Sequence, residues 1–266
     1  MYDKFNRQIT YLRISVTDRC NLRCKYCMPP EGVNLLSHND IISFEEIINV
    51  VSSAAKSGIN KVRITGGEPL LRRGVVSLVS MISAIEGVND LAMTTNAVYL
   101  DKFATELFQA GLKRINISLD TIDPDKFREI TRGGDVNDVL KGINAARQAG
   151  FSPIKINCVV NSSSFEEDAA EVRKFCEEND LEVRFISRMD LHRGIFSVVE
   201  GGSGGDCSSC TRLRLTSDGY IKPCLFSDIQ YNIRQWGIEK AIQLAVENKP
   251  PCGIVNTSNE FSYLGG

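Results

Sequence analysis

The segment Asp18-Arg19-Cys20-Asn21-Leu22-Arg23-Cys24-Lys25-Tyr26-Cys27-Met28-Pro29 follows directly on an apolar, strand-like run, Leu12–Val16. Its three cysteines have the spacing C-x3-C-x2-C. Thiolates gathered so tightly on a loop suit an iron–sulfur cluster, whose irons are held by cysteine sulfur. A cubane has four irons, so three cysteines leave one iron without a protein ligand. An open iron of that kind can hold a small molecule and pass it an electron. Zinc is the competing reading, but zinc favours four ligands in two pairs, and only three cysteines lie close together here.

Outward from this loop the chain alternates strand and helix. Further strand-like runs occur at Lys61–Thr65, Leu91–Thr95, Arg114–Leu119, Ile154–Val160 and Glu182–Ile186, with helical patterns between them. Ser43 with Glu46 predicts a capping box, as does Ser164 with Glu167. Three helical patterns end alike, at Lys56-Ser57-Gly58, Gln109-Ala110-Gly111 and Gln148-Ala149-Gly150. In each, glycine supplies the left-handed residue that closes a helix before the next strand starts. Repeated βα units imply a parallel sheet. Six of them suit an incomplete (βα)6 TIM-like α/β barrel, with ligands at the carboxyl ends of the strands. After Ile186 the pattern changes. A linker-like run, Gly201-Gly202-Ser203-Gly204-Gly205, is followed by two strand-like runs, Arg212–Thr216 and Tyr220–Cys224. Asp218-Gly219 between these runs predicts a hairpin. A last helical pattern covers Ile238–Glu247. The expected division is a barrel over residues 1–190 and a small C-terminal unit over 191–266.

A net charge of −2 gives no reason to expect nucleic acid or an anionic membrane as partner. No stretch is long and apolar enough to span a bilayer, and the N-terminus lacks the design of a signal peptide. Nine cysteines in clustered spacing point to a reducing cytoplasm rather than to a secreted disulfide protein. Cys158 and Cys176 fall on apolar periodicity and read as buried core.

Gly66-Gly67-Glu68-Pro69 sits right after a strand, where two glycines let backbone approach a ligand closely and the carboxylate can accept from an amine. Ser118 also ends a strand. A second cysteine set follows the glycine linker: Cys207-x2-Cys210, then Cys224. The hairpin between Cys210 and Cys224 brings them together. This again makes three ligands, favouring a second cluster with an open iron over zinc with an outside ligand.

C-x3-C-x2-C followed by an aromatic-flanked loop resembles the radical S-adenosylmethionine (SAM) enzymes. The run Cys207-x2-Cys210-Thr211-Arg212-Leu213-Arg214…Cys224-Leu225-Phe226, the start Asn6-Arg7-Gln8-Ile9, and the terminal Gly265-Gly266 are similar to the MoaA-type GTP 3′,8-cyclases of molybdenum cofactor biosynthesis. The resemblance implies two 4Fe–4S clusters, on Cys20, Cys24 and Cys27 and on Cys207, Cys210 and Cys224. It implies SAM contacts at Tyr26, Gly66, Gly67, Glu68, Ser118 and Met189. It implies GTP contacts at Arg13, Arg63, Thr94, Lys155, Arg212 and Arg214. It gives Arg212, Arg214, Gly265 and Gly266 a part in catalysis. Five of these side chains are cationic, which suits a triphosphate. The implied partners are a low-potential reductant (flavodoxin or ferredoxin) and a downstream MoaC-type cyclic pyranopterin monophosphate synthase. A homodimer is compatible with the resemblance.

Only seventeen residues separate Met189 from Cys207, where the family usually has a longer connection. This leaves open a paralogue acting on another nucleotide or on a peptide. An iron–sulfur protein used only for electron transfer is a third alternative, but it does not account for two sites each one ligand short. Cys252, in Pro250-Pro251-Cys252-Gly253, could cap the second cluster or be a surface thiol. Cyclase chemistry keeps the fourth position for substrate, so Cys252 is expected not to be a ligand.

Overall fold

The computed structural model describes residues 1–257 and 261–264. Six strands alternate with helices: β1 (Tyr11–Ser15), α1 (Phe44–Lys56), β2 (Lys61–Thr65), α2 (Val75–Ser83), β3 (Asp90–Thr95), α3 (Leu100–Gln109), β4 (Arg114–Ser118), α4 (Pro124–Thr131), α5 (Val136–Ala149), β5 (Ile154–Val160), α6 (Glu167–Glu178) and β6 (Glu182–Ser187). They pair in parallel in chain order. β7 (Arg212–Leu215) then adds in parallel to the free side of β1. β8 (Tyr220–Lys222) and β9 (Tyr231–Asn232) continue antiparallel. The order is β6-β5-β4-β3-β2-β1-β7-β8-β9, with β6 and β9 unjoined, so the barrel is incomplete. The helices α7 (Ile233–Trp236), α8 (Ile238–Glu247) and α9 (Phe261–Leu264) follow. No helix among the described residues is long and apolar enough to cross a membrane.

The expected strands form within two residues of their predicted ends. Gly58, Gly111 and Gly150 close their helices at φ of 93°, 100° and 98°. The next residue's N–H then reaches back into the helix: Ile59 to Ala54 O at 3.0 Å, Leu112 to Leu107 O at 3.0 Å, Phe151 to Ala146 O at 3.1 Å. Each of these apolar residues is thereby delivered into the core at the foot of the next strand.

The capping box at α1 is present. Glu46 N–H donates to Ser43 Oγ at 3.1 Å, and Ser43 N–H donates to Glu46 Oε2 at 2.8 Å. Arg234 on α7 adds a fork, Nε to Glu46 Oε1 at 2.7 Å and Nη2 to Oε2 at 3.1 Å. That bond above all pulls the Glu46 carboxyl down to about 2. A carboxylate held below its ordinary value stabilises the fold above about pH 4.5, and the contribution is lost as pH falls toward 2. The pair is partly solvent-exposed and screened, so Glu46→Gln is expected to cost only about 1 kcal/mol at pH 7. Urea denaturation should show the deficit shrinking at pH 3, and an equal deficit at both values would remove the charge from the explanation.

The second expected capping box does not form. α6 begins after Glu166, with no side-chain cap. The Glu166 carboxylate instead folds back onto the preceding turn and accepts from the N–H groups of Asn161, Ser162 and Ser163. That turn has several unmade donors, and it takes the nearest carboxylate before the helix can.

The main core joins barrel and C-terminal region. Leu213 and Leu215 of β7, Ile221 of β8, Ile233, and Ala241, Ile242, Ala245 and Val246 of α8 pack into the same cluster as the barrel strands. Cys158 and Cys176 are buried in it, as expected. A smaller cluster gathers Leu191, Leu225, Phe226 and Leu264, with Met189, Phe196 and Cys224 against it. The sheet thus runs through the chain's last third without a break, and only the loops near the second cysteine set form a separate small core.

Candidate active site

The first cysteine loop is seated between two supports. On one side Arg23 and Lys25 donate their N–H groups to Thr131 O and Ile130 O, each at 3.0 Å. The Arg132 guanidinium donates to Arg23 O at 2.8 Å and Met28 O at 2.9 Å. On the other side lies the glycine turn after β2. Gly67 N–H donates to Thr17 O and Glu68 N–H to Arg19 O, both at 2.7 Å. A Cβ on Gly67 would stand 2.3 Å from Arg19 O, and one on Gly66 2.8 Å from Thr17 O. The small size of these glycines is therefore used toward the cysteine loop's backbone, rather than only toward a ligand as the sequence reading has it. Gly67→Ala is expected to displace that loop, costing about 1–3 kcal/mol as overpacking does. Iron content of the first site should fall in a reconstitution assay, and full iron with an unchanged melting temperature would contradict the contact.

Glu68 points inward. Its Oε1 accepts from Leu70 N–H at 3.0 Å and Thr95 Oγ1 at 2.7 Å, and its Oε2 from Asn96 N–H at 2.7 Å. Burial pushes this carboxyl up to about 7 against those donors. Glu68 thus ties the end of β2 to the end of β3. Asn96 in turn aims Nδ2 at Cys20 Sγ, 3.7 Å away, and Leu22 N–H donates to the same sulfur at 3.4 Å. Tyr26 donates its hydroxyl to Asp120 Oδ2 at 2.6 Å, and Asp120 Oδ1 accepts from Val159 N–H at 2.8 Å. Burial pushes Asp120 up to about 6.

Burial pushes Cys20 up to about 11 and Cys24 to about 12, and raises Cys27 further, with neighbouring thiols and carboxylates adding to it. Three thiolates can share this loop only with a cation among them, and cluster iron supplies that charge. The residues present therefore fit a cluster. They line a cavity of about 200 Å³ at the carboxyl ends of the strands, together with Tyr26, Gly66, Gly67, Glu68, Thr94, Ser118 and Met189.

A second cavity, of about 350 Å³, lies deeper in the barrel and meets the first at Asn157, Ile186 and Met189. It reaches Tyr11, Lys61, Asp90 and Arg114, the first residues of β1 to β4. The open space thus extends beyond the carboxyl ends, where the sequence reading puts ligands, to the amino ends of these strands. The barrel interior carries arginines instead of a packed apolar filling, so it stays open to its amino end. Register places Arg214, Arg13 and Arg63 side by side on β7, β1 and β2. Arg212 and Arg184 complete the lining. Burial and mutual repulsion pull Arg13 down to about 9 and Arg214 to about 10. Burial raises the Tyr11 hydroxyl, but the four arginines around it lower it more. Of the lining carboxylates, Asp90 is held by Arg114, and Asp206 by the hydroxyls of Ser208 and Ser209. Among the described residues lining this cavity, Arg63 Nε, Arg184 Nε and Tyr11 Oη are buried without a hydrogen-bond partner. Buried polar atoms without partners mark a place built for a polar ligand.

Cys207, Cys210 and Cys224 line this second cavity. The hairpin forms as expected and returns Cys224 toward Cys210. Lys249 is buried beside them and donates Nζ to Arg212 O at 2.7 Å and Pro223 O at 2.6 Å. Burial raises Cys210, but Lys249 and Arg212 lower it more, so a cation already attends this set. Among the described residues no three histidine, cysteine or carboxylate side chains stand close enough to ligate one metal ion. A cubane differs from a single ion in binding its thiolates at separate corners. The short connection after Met189 walls this cavity. Phe196 stacks on Phe226 with ring centroids 4.5 Å apart, and Glu200 bridges to Phe185 on β6.

Two of the expected residues stand apart from the arginine row. Lys155 is paired with Glu182 on the adjacent strand and lines neither cavity. Thr94 faces the first cavity rather than the second. Gly265 and Gly266 lie outside the described residues, but Leu264 O, just before them, accepts from Arg214 Nη1 at 3.3 Å. Sequence reasoning missed Asp120, Asn96, Arg184 and Lys249. Arg184 alone had a signal, being a cation inside a strand-like run.

The sequence profile of the radical SAM superfamily matches residues 14–176. The chain is 41% identical to the GTP 3′,8-cyclase of Thermodesulfovibrio yellowstonii over 88% of its length and 87% of that protein's. It is 39% identical to the GTP 3′,8-cyclase of Alkaliphilus oremlandii, over 100% of this chain and 98% of that one. Among solved structures, Streptococcus suis SuiB bound to S-adenosylmethionine shares the fold at a TM-score of 0.65 and 17% identity, covering 92% of this chain and 66% of that one. The anSMEcpe protein with bound AdoMet gives 0.65 and 17%, covering 90% and 81%. The three-cysteine loop at the barrel mouth and these near full-length likenesses lead to one assignment: the chain belongs to the GTP 3′,8-cyclase family of the radical SAM superfamily.

Proposed function

We propose that the chain converts GTP to (8S)-3′,8-cyclo-7,8-dihydro-GTP in molybdenum cofactor biosynthesis. The observation that carries this reading is the arginine-lined cavity abutting the SAM-side cavity at Met189. Bound at Cys20, Cys24 and Cys27, a 4Fe–4S cluster supplies the electron that cleaves SAM to methionine and a 5′-deoxyadenosyl radical, the agent of hydrogen abstraction. Tyr26, Gly66, Gly67, Ser118 and Met189 shape the SAM pocket, and Glu68 holds its floor rigid. Arg13, Arg63, Arg212 and Arg214, joined by Arg184, receive the triphosphate. A polyanion offsets the burial and the mutual repulsion that hold Arg13, Arg184 and Arg214 below the usual guanidinium range. Thr94, with its unpartnered hydroxyl at the first cavity, is available to the ribose. Lys155 would serve only after leaving Glu182.

Cys207, Cys210 and Cys224 would hold a second 4Fe–4S cluster in this reading, with Lys249 offsetting thiolate charge, and that cluster would supply an iron able to take up the guanine. Gly265 and Gly266, which follow Leu264 in the chain, support the hydrogen-abstraction step in this reading. The barrel over 1–190 carries SAM chemistry and, through Arg13, Arg63 and Arg184, part of the triphosphate site, and residues 191–266 form the auxiliary iron–sulfur region with the hairpin and the Gly265-Gly266 tail. A flavodoxin or ferredoxin as reductant, a MoaC-type synthase as consumer of the product, a cytoplasmic location and a homodimer belong to the same proposal. The test is anaerobic incubation of reconstituted protein with SAM, dithionite and GTP, followed by liquid chromatography and mass spectrometry. A cyclised isomer of GTP is the expected product. 5′-Deoxyadenosine release with GTP unbound and unchanged would leave the radical chemistry standing and remove GTP as substrate.

A further inference from the structure

Cys252 Sγ lies 3.1 Å from Cys207 Sγ. The two are far apart in the chain, and the fold holds their loops together deliberately. Arg7, buried and paired through Nε with Asp3 at 2.6 Å, donates to Cys207 O at 2.7 Å, Pro251 O at 3.0 Å and Pro250 O at 2.6 Å. One guanidinium thus clamps the loop of Cys207 to the loop of Cys252. Beyond Cys252, Ile254 N–H donates to Phe226 O at 3.0 Å and Asn256 N–H to Leu191 O at 2.8 Å. Cys252 is exposed, whereas Cys207 is partly covered. Sulfurs in contact occupy one corner of a cluster site, not two, so this contact does not describe a fourth ligand.

We propose that Cys207 and Cys252 form a reversible redox pair whose disulfide withdraws Cys207 from the second cysteine set. The oxidant is a small disulfide such as oxidised glutathione. The exposed Cys252 thiolate attacks one glutathione sulfur, breaking the glutathione disulfide and releasing one glutathione thiol. Cys207 sulfur then attacks Cys252 sulfur in the mixed disulfide and releases the second. Two cysteine thiols lose two protons and two electrons, and the glutathione disulfide gains both. The effect on iron rests on the second-cluster reading above, while the disulfide itself does not.

The reconstituted full-length protein is exposed anaerobically to graded glutathione buffers, then alkylated and mapped by mass spectrometry alongside iron analysis. A Cys207–Cys252 linked peptide is expected to rise with oxidised glutathione while about half the iron is released, as one of two cubanes. Dithiothreitol with iron and sulfide should restore it. Cys252→Ser should hold its iron through the same oxidation. Absence of the linked peptide across the series overturns the pair, as does loss of half the iron from reduced Cys252→Ser, which would make Cys252 a standing ligand. A linked peptide in protein whose reduced form binds only one cluster's iron supports the pair and overturns the second-cluster reading.

Discussion

Alanine at Cys20, Cys24 and Cys27 together is expected to abolish SAM cleavage and, on the two-cluster proposal, to remove about half the bound iron. The loop itself should stay in place. Its position comes from Arg132, the α4 carbonyls and the glycine turn, none of which uses a thiol. The thiols sit half-buried with raised pKa values, so their loss removes no ionised group from the metal-free fold. Far-UV circular dichroism should be unchanged, while 5′-deoxyadenosine falls below detection by mass spectrometry. Any SAM cleavage surviving in the triple variant would sink the assignment of the first site. Loss of all iron instead of half would show that the two sites do not fill independently.

Arg212→Ala is expected to separate radical formation from cyclisation. Arg212 leans over the Tyr11 ring, its guanidinium carbon 5.7 Å from the centroid, and donates to Ser203 O at 3.0 Å. It therefore adds charge to the second cavity and holds the glycine run against it. Losing one charge-assisted contact costs about 1.5–3 kcal/mol, roughly 10- to 100-fold, and a loosened wall adds to this. Cyclised nucleotide should fall by about 100-fold or more, while 5′-deoxyadenosine continues to form slowly in the untouched first cavity. Arg212→Lys should rescue only part, since it keeps the charge and loses the fork. A parallel fall of both products would place Arg212 in SAM cleavage.

The strands and glycine stops were legible because period and punctuation are local properties of the chain. The capping box at Ser164 was misread for a local reason too, since its rival for hydrogen bonds, Glu166, sits one residue before Glu167. The cysteines, Arg13, Arg63, Arg212 and Arg214 were legible through spacing and family likeness. The alignment of Arg63, Arg13 and Arg214 as one row was not, because it depends on β7 pairing with β1. Lys155 looked equivalent to them until register set Glu182 directly across from it. Asp120, Lys249 and Arg7 act through partners distant in sequence, often backbone carbonyls, which leave no mark on residue type.

The β1–β7 pairing also governs the order in which the protein can be made. β1 leaves the ribosome before every other strand of the sheet, yet it ends as an interior strand. One side is covered once β2 is synthesised, but the other waits for residues 212–215, after the entire barrel. Throughout that interval the nascent chain presents a row of unpaired backbone groups flanked by Leu12 and Ile14, both buried in the finished fold. A chain cut at residue 190 would carry this raw edge permanently and associate through it, so synthesis is protected only when translation runs through β7.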